Sequence, residues 1–144
     1  MNELRRFDLV YLATPYTKYT AGLQCAFEDA ARLAGEMVIR GVHVFSPIAH
    51  GHPISMYGGV QALNHPLWLT YDKKFMDLCE ACVVGKLDGW EDSFGVAHEI
   101  EAFLGACKPI YFIDPITLEV YEYSEINTRQ EQDDRVCRGR AIDL

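Results

Sequence analysis

Short apolar runs alternate along this chain with longer segments in which apolar residues recur at the helical period. The apolar runs are rich in β-branched and aromatic residues, as buried strands are, and lie at residues 9–13, 42–45, 81–85 and 109–113. The helical pattern covers residues 21–40, residues 66–79 and the segment that begins at Ser93. Strands that alternate with helices in this way predict a mainly parallel sheet with right-handed crossovers.

The order of these elements predicts one three-layer α/β domain at residues 1–123. We expect a sheet of four to five strands in the order 2-1-3-4, with helices on both faces and residues 118–123 as a candidate edge strand. Residues 50–65 are rich in Gly and Pro and fit neither period, so they predict a long loop of the kind that often binds a ligand. Residues 124–144 are charged, and we expect an acidic tail that is partly ordered or docks on a neighbouring subunit.

The net charge of the chain disfavours some classes of partner. Its 144 residues carry a formal net charge of −8, whereas proteins that bind polymeric nucleic acid or anionic membranes need a basic face. No apolar run approaches the ~20 residues that span a bilayer. The five cysteines are an odd number, which favours reduced thiols over a disulfide framework. We therefore expect a cytoplasmic protein with neither a nucleic-acid polymer nor a membrane as partner.

Polar residues concentrate where the third apolar strand passes into a helix, at residues 88–99. Ser93 is a natural N-cap, Gly95 lets a ligand approach the first turn closely, and Glu99 follows one turn into the helix. Ligands of open α/β sheets bind just outside the carboxyl ends of the strands, so this segment predicts a binding site. Two simpler interpretations stay open: Ser93 as a helix cap alone, and Glu99 as an ordinary carboxylate near a helix N-terminus.

A second wall of the same site is predicted after the first strand. The loop Thr14-Pro15-Tyr16 would face residues 88–95 if strands one and three are neighbours in the sheet. The alternative is that Thr14-Pro15 only ends the strand.

The histidines suggest a metal site, but their spacing does not support one. His50 and His52 are two residues apart and His98 precedes Glu99, so three ligands can be imagined. No cysteine or carboxylate sits at ligand spacing beside them. We expect neither a metal nor a cofactor.

Several of these segments together resemble the nucleoside 2-deoxyribosyltransferase superfamily. The resemblance covers residues 9–113 and is carried by Tyr11-Leu12-Ala13 with the following Pro15, by Ser46-Pro47, by Asp72, and by Ser93-x-Gly95-Val96-x-x-Glu99. It implies a flavodoxin- or Rossmann-like fold and an enzyme that cleaves the N-glycosidic bond of a nucleoside or nucleotide, or exchanges its base.

The resemblance also implies catalytic roles for three carboxylates. The glutamate that matches Glu99 attacks the anomeric carbon, where an anion stabilises or captures the oxocarbenium-like transition state. Asp72 matches an aspartate near the departing base, which must gain a proton, and Asp88 is a rival for that role. Whether water or a second base accepts the sugar stays open.

Ser93 bears on the substrate. The deoxyribosyltransferases carry an aspartate at this position, which would repel a phosphate, whereas a serine donates to one together with the first N–H groups of the helix. The S-x-G-V-x-x-E form is similar to the branch that hydrolyses nucleoside 5′-monophosphates. Glu91 and Asp92 must then point away from the phosphate. The residues expected to bind the substrate are Tyr11, Thr14, Pro15, Tyr16, Lys18, His50, Ser93, Gly95 and Val96.

Two other functions stay open. One is a non-catalytic nucleotide sensor that has the pocket without turnover, and the other is a glycohydrolase acting on a dinucleotide such as NAD. Members of the superfamily resemble one another in forming dimers or higher oligomers, so we also expect a homo-oligomer.

Overall fold

The computed structural model describes residues 1–123, which form an α/β fold built on one five-stranded sheet. The strands are β1 (Val10–Ala13), β2 (Val44–Phe45), β3 (Ala81–Gly85), β4 (Ile110–Ile113) and β5 (Val120–Glu122). The helices are α1 (Leu23–Ile39), α2 (Pro47–Gly58), α3 (His65–Leu78) and α4 (Phe94–Gly105), with short 3-10 helices at Asn2–Arg6 and Trp90–Asp92.

The strand order is β2-β1-β3-β4-β5. The first four strands are parallel, and β5 joins β4 antiparallel at the edge. The predicted order 2-1-3-4 and the candidate edge strand are therefore confirmed, in a fold consistent with a Rossmann-like three-layer architecture. The predicted tail at residues 124–144 lies outside the described residues.

The sheet is buried on both faces by two separate groups of apolar side chains. Val10 and Leu12 pack with Leu33 and Met37 of α1 on one face. Alternate residues of a strand point to opposite faces, so Tyr11 and its neighbour Ala13 belong to the second group, which includes residues of α3 and α4. This alternation directs the Tyr11 side chain toward α4.

The long loop predicted at residues 50–65 is wrong, because most of this segment belongs to α2. Ser46 caps the helix by accepting a hydrogen bond from the Ala49 amide at 3.2 Å, and Pro47 stands in its first turn, where no N–H is needed. Gly51 lies inside the helix, and its lack of a side chain lets the Trp68 ring pack closely, since an added Cβ would stand 3.2 Å from that ring. Gly51 and Pro53 disfavour a helix locally, and tertiary packing overrides them.

The four described cysteines, Cys25, Cys79, Cys82 and Cys107, are free thiols. In residues 1–123 no helix is long and apolar enough to cross a membrane.

We predict that Gly85→Ala lowers the free energy of unfolding by about 1–3 kcal/mol, the usual range for overpacking a core. The added Cβ would lie 2.8 Å from Leu33 Cδ2 and 2.9 Å from Thr14 Cγ2, both buried. Urea unfolding measures the effect. Gly35→Ala is the matched control: no heavy atom lies within 4 Å of its added Cβ, so it should stabilise α1 by about 0.5–1 kcal/mol. Equal effects of the two changes would contradict the packing account.

Candidate functional site

A pocket of about 280 Å³ opens beside the carboxyl end of β1. Its walls come from the loop after β1, from α2 and α3, and from the first turns of α4. β1 and β3 are adjacent in the sheet, so the loops that follow them meet here. This is the position where open α/β sheets bind ligands, at the point where the strand order reverses.

Glu99 places a buried carboxyl group in this pocket. The Tyr11 hydroxyl donates a hydrogen bond to Glu99 Oε1 at 2.8 Å, while Oε2 is buried and has no partner among the described residues. The pKa of Glu99 is raised to about 8 as the net result of three causes: burial raises it most, the Tyr11 hydrogen bond lowers it, and the nearby Asp72 charge raises it. The carboxyl group is therefore largely protonated at neutral pH in the free protein.

Asp72 lies on α3 and lines the same pocket. Burial raises its pKa to about 6, less than that of Glu99 because Asp72 is less completely buried. Two interacting carboxyl groups titrate as a pair. Between about pH 6 and pH 8 the pair therefore carries one proton.

Tyr11 is held in place by the core. Its ring lies 5.9 Å from Phe45 and 5.6 Å from Phe103 between ring centroids. Burial, together with the charges of Glu99 and Asp72, raises the pKa of Tyr11 far above its usual value. Tyr11 therefore keeps its phenolic proton, which it donates in the hydrogen bond to Glu99 Oε1.

The N-terminus of α4 forms a second polar part of the pocket. Ser93 Oγ accepts a hydrogen bond from the Val96 amide at 3.3 Å, which shows that Ser93 is the N-cap. Its own hydroxyl proton is left for a ligand. Gly95 and Lys18 also line the pocket, whereas Glu91 and Asp92 are exposed and outside the lining. Those two carboxylates therefore take no part in the pocket wall.

The loop after β1 contributes further predicted residues. Thr14 and Tyr16 line the pocket, and Thr14 Oγ1 is buried with no hydrogen-bond partner in residues 1–123. Pro15 and Val96 are buried but do not reach the lining, so they shape the pocket through the backbone and the core.

Two further predicted site residues, Asp88 and His50, lie away from the pocket. Asp88 is exposed in the turn before the second 3-10 helix. His50 is exposed as well, and its Nε2 lies 2.9 Å from the Tyr71 hydroxyl outside the lining. His52 lines the pocket instead. Residues i and i+2 of a helix point about 200° apart, so once α2 is recognised as a helix, only one of the two histidines can face the pocket.

Several lining residues escaped the sequence analysis. His65 and Trp68 line the pocket from α3, and Thr17 lines it beside Lys18. His65 and Trp68 reach the pocket only because of how α3 packs, and Thr17 because of the path of the loop after β1, and neither can be read from the local sequence. In the described part of the chain, no group of three or more His, Cys, Asp or Glu side chains is placed to hold a metal ion.

The model of a family described as a domain of unknown function, DUF1937, matches residues 8–115. The chain belongs to the DUF1937 family. The matched segment contains β1 to β4 and all residues of the pocket lining, so the site lies entirely within the DUF1937 domain. No curated protein matches the chain.

We predict that the Glu99 carboxyl of the DUF1937 domain titrates with a midpoint near the pKa of about 8. Tyr11→Phe should raise this pKa, because the phenolic hydrogen bond stabilises the anion. Asp72→Asn should lower it, because the Asp72 charge opposes ionisation of Glu99. Carboxyl-carbon NMR across a pH series measures all three midpoints. Shifts in the same direction for both variants would contradict the assigned causes.

We predict that the pH dependence of stability changes in Glu99→Gln. The pKa of Glu99 is raised from 4.5 to about 8 by folding, so the unfolded chain binds fewer protons across that interval. The Glu99 contribution therefore lowers the free energy of unfolding as pH rises from about 4.5 to about 8. Glu99→Gln should flatten this fall, as measured by urea unfolding at several pH values. Glu101→Gln, an exposed change on the same helix, is the control and should leave the slope as in the wild type.

Proposed function

We propose that this DUF1937 domain cleaves the N-glycosidic bond of a small nucleotide or nucleoside, or exchanges its base, with Glu99 acting at the anomeric carbon. One observation carries the proposal. Glu99 Oε2 is buried in the pocket with no hydrogen-bond partner in residues 1–123, while Tyr11 donates a hydrogen bond to Oε1. Because buried polar atoms are rarely left unpaired in proteins, a ligand that meets this oxygen is the simplest explanation.

The chemistry fits a carboxylate in this position. As the bond between the anomeric carbon and the base nitrogen breaks, its electron pair leaves with the base and positive charge develops on the sugar. Ionised Glu99 stabilises that charge through Oε2 or forms a bond to the anomeric carbon. Water or a second base then releases the sugar and regenerates the carboxylate.

The departing base needs a proton, and Asp72 is the group proposed to supply it. Asp72 lines the same pocket as Glu99, and the pair carries one proton between about pH 6 and pH 8. In the free protein this proton lies mainly on Glu99, which has the higher pKa. In the proposed reactive form it has moved to Asp72, and the charge lies on Glu99, where the Tyr11 hydroxyl stabilises it. Activity should therefore be highest within this pH interval.

The N-terminus of α4 favours a nucleotide over a nucleoside. The donors that suit a phosphate here are Ser93, the first N–H groups of α4 and Lys18. The carboxylates of Glu91 and Asp92, which would repel a phosphate, are exposed and outside the pocket lining. The pocket volume of about 280 Å³ suits a mononucleotide better than a dinucleotide such as NAD.

The assembly and location of the protein belong to the same proposal. We propose a homo-oligomer, which the exposed apolar side chains of Met56, Tyr57, Leu63 and Leu67 on α2, α3 and the loop between them support. The free thiols of the four described cysteines support a reducing, cytoplasmic location.

We predict that Glu99→Gln lowers the release of free base by at least about 100-fold, because the neutral amide cannot stabilise or capture the sugar cation. The substrates are deoxyribonucleoside and ribonucleoside 5′-monophosphates with the matching nucleosides, and chromatography detects the base. Asp72→Asn should lower release by about 10²–10⁴-fold, the usual contribution of a general acid.

Glu101→Gln serves as the control, because Glu101 is exposed on the same helix and outside the pocket. Unchanged base release by Glu99→Gln would contradict the proposed mechanism. A nucleotide-dependent thermal shift of the wild type with no product after long incubation would identify a sensor instead of an enzyme.

A further inference from the structure

Four polar side chains form a hydrogen-bonded series that runs from the pocket to α1. The Tyr16 hydroxyl lies 2.7 Å from His52 Nδ1. His52 Nε2 lies 3.0 Å from Gln24 Oε1, and Gln24 Nε2 donates to Glu28 Oε1 at 3.0 Å. Tyr16 and His52 line the pocket, whereas Gln24 and Glu28 belong to α1.

The series has one direction. The Glu28 carboxylate, which also pairs with Arg32, can only accept a hydrogen bond, so the amide nitrogen of Gln24 faces it. The Gln24 carbonyl oxygen then faces His52 and must accept a hydrogen bond from the protonated Nε2. In the neutral ring this leaves Nδ1 as an acceptor. The Tyr16 hydroxyl must therefore donate a hydrogen bond to His52 Nδ1.

Packing holds the series in this arrangement. His52 is 7% exposed and stacks on Phe27, with ring centroids 4.7 Å apart and an interplanar angle of 17°. Burial raises the pKa of Tyr16, so its phenol stays neutral and keeps its single proton. With that proton directed to His52, the Tyr16 oxygen can only accept a hydrogen bond from anything bound in the pocket.

We propose that Tyr16 is a specificity-determining residue that accepts a hydrogen bond from a donor group of the ligand. The ligand class that fits carries a hydroxyl or amino group at this point. A phosphate oxygen fits poorly there, because two acceptors would meet. This role of Tyr16 rests on the function proposed above. Tyr16 then binds a sugar hydroxyl or a base amino group, and Ser93 and the N-terminus of α4 bind the phosphate.

The first test requires no ligand. Nitrogen-15 NMR distinguishes the two neutral tautomers of histidine, and His52 should carry its proton on Nε2. Gln24→Leu removes the acceptor that fixes this tautomer, so a mixture of the two is expected. Gln24 is exposed, so the change does not disturb the core. A proton on Nδ1 of wild-type His52 would overturn the inference.

The second test measures the affinity of matched nucleotides by calorimetry. The parent is deoxyadenosine 5′-monophosphate, and the analogues lack either the 3′-hydroxyl or the 6-amino group. Tyr16→Phe should weaken binding of the parent by about 10-fold, as expected when a buried hydrogen bond is lost. For the one analogue that lacks the group bound by Tyr16, Tyr16→Phe and the wild type should have the same affinity.

Tyr19→Phe is the matched control, because the Tyr19 hydroxyl donates to Asp29 at 2.5 Å and Tyr19 is outside the pocket lining. Equal losses for the parent and both analogues in Tyr16→Phe would overturn the inference. If the discrimination is observed but no base is released, the proposed catalysis fails while the role of Tyr16 stands. If no nucleotide binds, the proposed function fails, and the tautomer of His52 still decides the direction of the series.

Discussion

The Tyr11 hydroxyl donates to Glu99 Oε1 across the interface between β1 and α4, and the site is arranged around this buried hydrogen bond. It orients a buried carboxyl group. Oε1 accepts the hydrogen bond from Tyr11, and Oε2 has no hydrogen-bond partner in the described part of the chain. β1 and α4 are 80 or more residues apart along the chain, so only the packing of the helix on the sheet brings the two groups together. The polar site thus depends on an apolar interface.

Burying Glu99 lowers the stability of the fold when the carboxyl group is ionised, and the same burial supports the proposed chemistry. The low-dielectric surroundings raise its pKa to about 8, so folding opposes its ionisation. In the proposed reaction the same surroundings would strengthen the attraction between an ionised Glu99 and the positive charge that develops on the sugar. Strained or unsatisfied groups that persist in a native fold concentrate at functional sites. The unpaired oxygens of Glu99 and Thr14, both in the pocket lining, follow this pattern.

The pocket presents different hydrogen-bonding character in different places. Donors are offered by Ser93, Lys18 and the start of α4. The carboxyl pair of Glu99 and Asp72 shares a proton. Tyr16 offers an acceptor, because its hydroxyl donates its hydrogen bond to His52. A ligand that satisfies all three must carry an anionic group, a reacting centre and a donor. A nucleotide has this combination, which links the inference about Tyr16 to the proposed function.

Apolar runs and helical periodicity are local properties, so the strands and the helices α1, α3 and α4 could be predicted from the amino-acid pattern alone. The ends of adjacent parallel strands meet at one edge of a sheet, so the segments 14–18 and 93–99 could be placed beside the same pocket. The helix at residues 47–58 could not be predicted, because Gly51 and Pro53 disfavour it locally and its contacts, such as that of Gly51 with Trp68, form only in the folded chain. That helix in turn decided which histidine faces the pocket. The pairing of Tyr11 with Glu99 and the protonation of the carboxyl groups were likewise decided there, because burial and hydrogen bonding depend on side chains from distant parts of the chain.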